Sequence, residues 1–282
     1  MKTTINVAVL QCNATADLTS NLTQLNNQLS HVSDTTTVII LPEMVAYRRL
    51  SLKNPVVAET IPGQLCEFFG EHARRLNAWI VIGSLCESIP NTAKVYNTMV
   101  VIDPSGRVQY RYRKLNLFNC RIPGNRLVES DYFLPGTQPV IASINGFKIG
   151  LSICFDIRFP ELYQFYASQR VDALICAASF TTITGQAHWK PLLQARAIET
   201  QCYMLAPNQF GVGGGNVPTY GHSMIIDPWG EILSEAPGNK ATILYAELSK
   251  ERLEQTQNQL PIRRPNPLYK FNSDLDNMNT CT

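Results

Sequence analysis

Residues 146–161 read GFKIGLSICFDIRFPE. Phe147 to Ile153 are mostly apolar, as in a strand buried on both faces, and the run breaks at the thiol of Cys154, followed by charged residues and Pro160, a favoured first-turn helix residue. This pattern predicts a strand-to-helix corner. A side chain there stands on a rigid element while the amides after it stay free to stabilise negative charge. A small buried hydrophobe is the commoner role of a lone cysteine, so the stretch by itself leaves two readings of Cys154 open.

Two other strands end in the same manner. Thr37 to Leu41 is β-branched and apolar and runs into Pro42-Glu43. The strand RVQYRYRK (107–114), returning from YNTMVVID (96–103) through the turn Asp103-Pro-Ser-Gly106, ends at Lys114. If aligned strands bring these ends to one rim, they supply a base, a cation and a thiol, which together make a cysteine reactive at neutral pH. The competing reading of Glu43 and of Lys114 is a solvated rim charge, an ordinary feature of strand ends.

The rest of the chain alternates strands with helices. INVAVLQ (5–11) and WIVIGSLCE (79–87) read as strands. Asp17 opens a helix with Leu18, Leu22, Leu25 and Leu29 at helical spacing, and a second helix runs from after Pro62-Gly63 to about Ala78. Residues 115–135 have weak periodicity and read as a long loop. Beyond a hairpin turn at Asn145-Gly146, a helix over 160–169, a strand over 171–179, a helix over about 188–201 and a strand over 202–208 follow. GVGGGN (211–216) lacks the G-x-G-x-x-G spacing and reads as a flexible rim rather than a phosphate loop. Strands around Asp227-Pro-Trp-Gly230 and over ATILYAEL form a meander, and 250–259 a short helix. No repeat or linker divides the pattern, so 1–282 reads as one α/β domain with mixed sheets flanked by helices, and 261–282 as a tail.

Charged residues make up only 16% of the 282 residues, against about 25% in a typical chain, so other elements or a partner subunit must cover much of the surface. Net charge is +2, with no second basic stripe to support the run Arg111 to Lys114, so neither nucleic acid nor an anionic membrane is an expected partner. The eight cysteines form no C-x-x-C pair or metal-ligand spacing, and they suit a reduced, cytoplasmic protein without a metal. No run reaches the length of a signal peptide or a membrane span.

LPEM (41–44), YRKLNLF (112–118) and SICFDIRFPEL (152–162) resemble the Glu, Lys and Cys motifs of the nitrilase superfamily of carbon-nitrogen hydrolases. SFTTITGQAHWKPLLQARAIETQCY (179–203) and YGHSMIIDPWG (220–230) are similar to its Nit branch, and the likeness extends to RRPNPLY (263–269). The resemblance implies a four-layer α-β-β-α sandwich of the nitrilase type with two mixed sheets, assembled as a homodimer or higher homo-oligomer. It also implies Cys154 as nucleophile, Glu43 as general base, Lys114 as oxyanion stabiliser and Glu129 as a second positioning glutamate.

Arg158 and Thr184 would then hold a carboxylate or keto end of the substrate, Phe155 would lend its backbone amide to the oxyanion, and Tyr47 would line the entrance. An Arg158 salt bridge to Glu161 is the alternative for that arginine. A papain-like pair of Cys154 with His188 is a lesser alternative, and His222 weaker still. The activity implied is hydrolysis of a small carboxamide, foremost deaminated glutathione, to a carboxylate and ammonia with water as second substrate and no cofactor. An ω-amidase acting on α-ketoglutaramate, a hydrolase of N-carbamoyl amides or nitriles, and a non-catalytic interaction protein are the alternatives. Phe155 stands where the branch usually has tyrosine and Asn116 where it usually has histidine, so hydrogen bonding around the thiol is expected to differ.

Overall fold

The first strand, β1 (Thr4–Gln11), is apolar along nearly its whole length because both of its faces are covered. Val7 and Val9 pack into the main core with Ile149, Leu151 and Ile175. Ala8 and Leu10 point the other way, into a second core with Leu25, Leu29 and Phe69. A two-sided strand of this kind belongs to a layered α/β fold.

The computed structural model describes residues 3–48, 57–122, 125–214 and 217–262. After β1 come α1 (Leu18–Ser30), β2 (Val38–Ile40), β3 (Ala58–Glu59), α2 (Gln64–Leu76), β4 (Trp79–Ser88), β5 (Val95–Ile102), β6 (Val108–Arg113), β7 (Asn119–Ile122) and β8 (Asn125–Val128). The second half contains β9 (Ile141–Ile144), β10 (Phe147–Ile153), α3 (Pro160–Ser168), β11 (Ala173–Ala177), α4 (Thr182–Thr200) and β12 (Tyr203–Ala206). It ends with β13 (Phe210–Val212), β14 (Pro218–Tyr220), β15 (Met224–Ile226), β16 (Ile232–Glu235), β17 (Thr242–Ser249) and α5 (Lys250–Gln259).

Two mixed sheets form the centre. One has the order β17-β1-β2-β4-β5-β6, with β3 paired to β4, and the other the order β16-β15-β12-β11-β10-β9. In each, three central strands run parallel and antiparallel strands close both edges. Helices α1 and α2 cover the outer face of the first sheet through Leu25, Leu29, Leu65 and Phe69. On the second sheet, Gly150 of β10 makes room for α3, since a Cβ there would lie 2.7 Å from the Tyr166 ring. The result is the expected four-layer α-β-β-α sandwich. The Asp17 side chain caps α1 by accepting from the Ser20 amide at 3.0 Å, and Pro160 occupies the first turn of α3.

Four expectations need correction. Residues 115–135 hold the hairpin β7–β8 and one 3-10 turn opened by Glu129, instead of a structureless loop. α4 begins at Thr182, so His188 lies inside the helix; Thr181-Thr-Ile-Thr-Gly185 has poor helix propensity, yet the Gly185 amide bonds Thr181 O at 2.7 Å. The strand ATILYAEL leaves the meander, since β17 pairs along all of β1 in the other sheet, from Thr4↔Ser249 to Gln11↔Thr242. Phe210–Val212, the approach to the glycine run, is a strand paired with β14. The tail motif at 263–269 lies outside the described residues.

Candidate active site

Cys154 follows β10 directly and has φ +49°, the left-handed region that L-residues seldom occupy. A strained backbone of this kind costs of order 1–3 kcal/mol and persists only where its surroundings fix it. Here a buried carboxylate does so. Asp156 accepts from the Ile153 amide at 2.9 Å, from the Tyr112 hydroxyl at 2.6 Å, and from both the amide and the Nδ2 of Asn116 at 2.9 Å. Arg196 of α4 grips the other end of the turn by donating Nε and Nη2 to Ile157 O at 3.0 and 2.8 Å. Asn116, in the position expected to carry histidine, therefore ties the strand holding Lys114 to the turn holding the thiol.

The three strand ends do meet. Lys114 is 1% exposed, and its Nζ donates to Glu43 Oε1 at 2.8 Å and to Glu129, whose Oε2 lies 2.9 Å away. Glu129 sits at the 3-10 turn after β8, where its Oε2 also accepts from the Phe118 amide at 2.7 Å. Glu43 Oε1 takes a second bond from Asn97 Nδ2 at 2.8 Å, whereas Oε2 accepts from the Ser179 amide at 2.9 Å. Among the described residues Oε1 thus has both lone-pair directions filled and Oε2 has one to spare. The free direction belongs to the oxygen on the Ser179 side.

Electrostatics follow from this packing. Burial alone would push the Lys114 ammonium down, but the Glu129 and Glu43 carboxylates outweigh it and hold its pKa well above the ordinary value. The Glu129 carboxyl is raised, by burial and by Glu43, against the pull of Lys114. The Cys154 thiol is raised well above its usual range, first by burial and then by Glu43, while Lys114 and the Ser179 amide pull it down. This balance favours the thiol over the thiolate in the resting protein. Burial also pushes Cys12, Cys86 and Cys176 up to about 12, and of these four thiols only Cys154 lines the adjoining cavity.

A cavity opens over this cluster, lined among others by Glu43, Asn97, Glu129, Cys154, Phe155, Arg158, Thr184 and Arg48. Arg158 makes no ion pair with Glu161 among the described residues. Its guanidinium lies over the rings of Phe180 and Phe155, 5.2 and 5.7 Å from their centroids, and 3.3 Å from His188 Nδ1. Thr184 Oγ1 is 2.8 Å from Thr181 Oγ1, and Phe155 packs edge-on between Phe118 and Phe159. Tyr47 is half-buried and is absent from the lining, where the next residue, Arg48, appears instead. His188 bonds Arg158 rather than Cys154, and His222 pairs with Glu235 at 3.0 Å, so neither histidine partners the thiol.

Asn97, Ser179, Asp156 and Arg48 were not singled out from sequence. Only Asp156 carries a usable signal, a carboxylate two residues beyond the thiol at the end of an apolar strand. Among the described residues no group of three or more His, Cys, Asp and Glu side chains is arranged to hold a metal ion. No described helix is long and apolar enough to cross a membrane.

A buried lysine thus lies between two glutamates beside a thiol on a strand-to-turn corner, within paired mixed sheets. The Carbon-nitrogen hydrolase family model matches residues 6–258, and the chain belongs to that family. It is 38% identical over 259 residues to the deaminated glutathione amidase of Synechocystis, covering 90% of this chain and 95% of that protein. Omega-amidase NIT2-A of Xenopus laevis is 34% identical over 228 residues, covering 80% and 82%. The crystal structure of Saccharomyces cerevisiae Nit3, described as a member of branch 10 of the nitrilase superfamily, superposes with a TM-score of 0.82 at 28% identity, covering 94% of this chain and 97% of that one.

Proposed function

We propose that the protein hydrolyses the amide of a small α-keto acid, foremost deaminated glutathione, through a thioester on Cys154. The observation that carries this reading is the thiol at φ +49° in a cavity shared with the Glu43–Lys114–Glu129 cluster. In the proposed sequence the thiol proton passes to Glu43 Oε2 as Sγ bonds to the amide carbon. The oxyanion is stabilised by the Lys114 ammonium, which keeps its proton throughout, and by the Phe155 amide. Glu43 returns the proton to the amide nitrogen, the C–N bond breaks, and the amine leaves. Glu43 then takes a proton from water, hydroxide attacks the thioester, and the thiolate recovers its proton from Glu43 as the acid departs.

The leaving group needs one amendment. In deaminated glutathione the amide nitrogen carries cysteinylglycine, so that dipeptide leaves as the amine; ammonia leaves only from a primary amide such as α-ketoglutaramate. The ω-amidase alternative is supported by the likeness to Omega-amidase NIT2-A.

Arg158 and Thr184 are suited to hold the keto-acid end, because a planar guanidinium flanked by aromatic rings, with no carboxylate partner among the described residues, is available to a substrate carboxylate. We also read the chain as a homo-oligomer, which the exposed Phe165 of α3 and Ile198 of α4 support. The free cysteines of the described residues suit a reducing, cytoplasmic setting. The test is α-ketoglutarate release from deaminated glutathione and from α-ketoglutaramate by the purified protein against a Cys154→Ala control. Release from neither would end the proposal.

A further inference from the structure

Arg48 is 8% exposed and lines the cavity. Its Nε donates to Ala14 O at 3.0 Å, Nη1 to Thr219 Oγ1 at 2.7 Å and Ser179 Oγ at 3.3 Å, and Nη2 to Asn13 Oδ1 at 2.7 Å. Every one of these acceptors is neutral. Burial lowers its pKa to about 10, which leaves it cationic at neutral pH. Buried charges are ordinarily paired, and others here are: Lys114 with two carboxylates, Arg196 with Glu199. Arg48 has no carboxylate within ion-pair distance among the described residues, and of its five N–H groups one, on Nη2, has no acceptor there.

The surroundings are shaped to this guanidinium. A Cβ on Gly213 would lie 2.1 Å from Arg48 Nε, and one on Gly214 2.3 Å from Arg48 O, so Gly213 packs closely on the guanidinium and Gly214 on the backbone of the same residue. Position gives the charge its meaning. Ser179 accepts from Arg48 through its hydroxyl and donates its amide to Glu43 Oε2, the oxygen that delivers a proton to the leaving nitrogen. Ser179 and Arg48 therefore lie on the side of the cavity where that oxygen acts, whereas Arg158 belongs to the turn after Cys154.

We propose that Arg48 binds a carboxylate carried by the leaving amine, so that the site selects amides with an anionic group on each side of the scissile bond. The inference rests on the amidase reading and sharpens it. Deaminated glutathione has a keto-acid carboxylate on the acyl side and the glycine carboxylate on the amine side; α-ketoglutaramate has only the first.

The test uses two probes of equal length, deaminated glutathione and its analogue with the glycine carboxylate converted to a primary amide. For each protein the penalty for losing that carboxylate is measured twice: as a ratio of kcat/KM with Cys154 intact, and as a ratio of Kd on the Cys154→Ala background. A charge-assisted bond predicts a penalty of about tenfold to a hundredfold with Arg48 present, falling to near one in Arg48→Gln and to an intermediate value in Arg48→Lys. Any general damage from the substitution affects both probes and cancels in the ratio, which separates recognition from bracing. An equal penalty in Arg48→Gln, or none with Arg48 in place, overturns the proposal. If neither probe is turned over, the amidase reading fails, and the Kd ratios still decide the role of Arg48.

Discussion

The cavity has two halves of opposite design. Around Glu43, Lys114 and Glu129 every charge is matched within the protein, at 2.8 and 2.9 Å. Around Arg48 and Arg158 two guanidinium groups line the same cavity without a carboxylate partner among the described residues. The matched half keeps its groups fixed whether or not substrate is present, which suits proton transfer and oxyanion stabilisation. The unmatched half leaves its charge to be satisfied by what binds. On the proposed reading one half breaks the bond and the other chooses it.

The sharpest way to break this division is to substitute on the matched side. Glu43→Gln should lower kcat by about a hundredfold to ten-thousandfold, the usual worth of a positioned base. Because Glu43 adds to burial in holding the thiol pKa up, the same change should move the Cys154 titration downward. Thiolate absorbance, taken as a difference against Cys154→Ala, checks this: a base-only role would lower activity without the downward shift.

Lys114→Met should cost about 3–5 kcal/mol of stability by leaving two buried carboxylates without their cation. The pH dependence has a definite sign. The folded pKa of Lys114 is raised, so its contribution is fully present below the ordinary lysine pKa and is lost only as pH rises through the raised folded value. In Lys114→Met the Glu129 carboxyl, already raised by burial, is relieved by protonation instead, and thermal unfolding should show the variant gaining stability from pH 8 to pH 5 relative to the unsubstituted protein.

On the unmatched side the effects are smaller and fall on binding. Arg158→Gln should raise KM for a keto-acid amide by about tenfold to a hundredfold, the range for a charge-assisted hydrogen bond, with a smaller change in kcat. Steady-state kinetics at saturating substrate separate the two constants. Smallest of all, Asn116→Ala removes one of four donors to Asp156 and should cost about 1 kcal/mol in unfolding free energy, with a few-fold loss in kcat as the turn after Cys154 loosens.

The same division explains what the sequence could reveal. Glu43, Lys114 and Cys154 were legible because each ends a strand, and strand ends can be read from local apolar patterns. Glu129 was reached only through resemblance, since it follows a hairpin hidden in the weakly periodic stretch 115–135. Arg48 was invisible, because beside Arg49 it reads as a surface charge. Its burial depends on Asn13, Ser179 and Thr219, partners far away along the chain. β17 was misplaced for a similar reason: its alternation fits either sheet, and only the complete register with β1 decides between them. Local patterns reveal elements and their ends; pairings over long separations must be seen.

The central claim is that Cys154 carries the acyl group during turnover. Intact-protein mass spectrometry of samples acid-quenched during turnover of deaminated glutathione tests it most directly. The account predicts a mass gain equal to the α-ketoglutaryl acyl group, located at Cys154 and absent from Cys154→Ala. Hydrolysis that persists in Cys154→Ala, or turnover with an adduct on another residue, would contradict it.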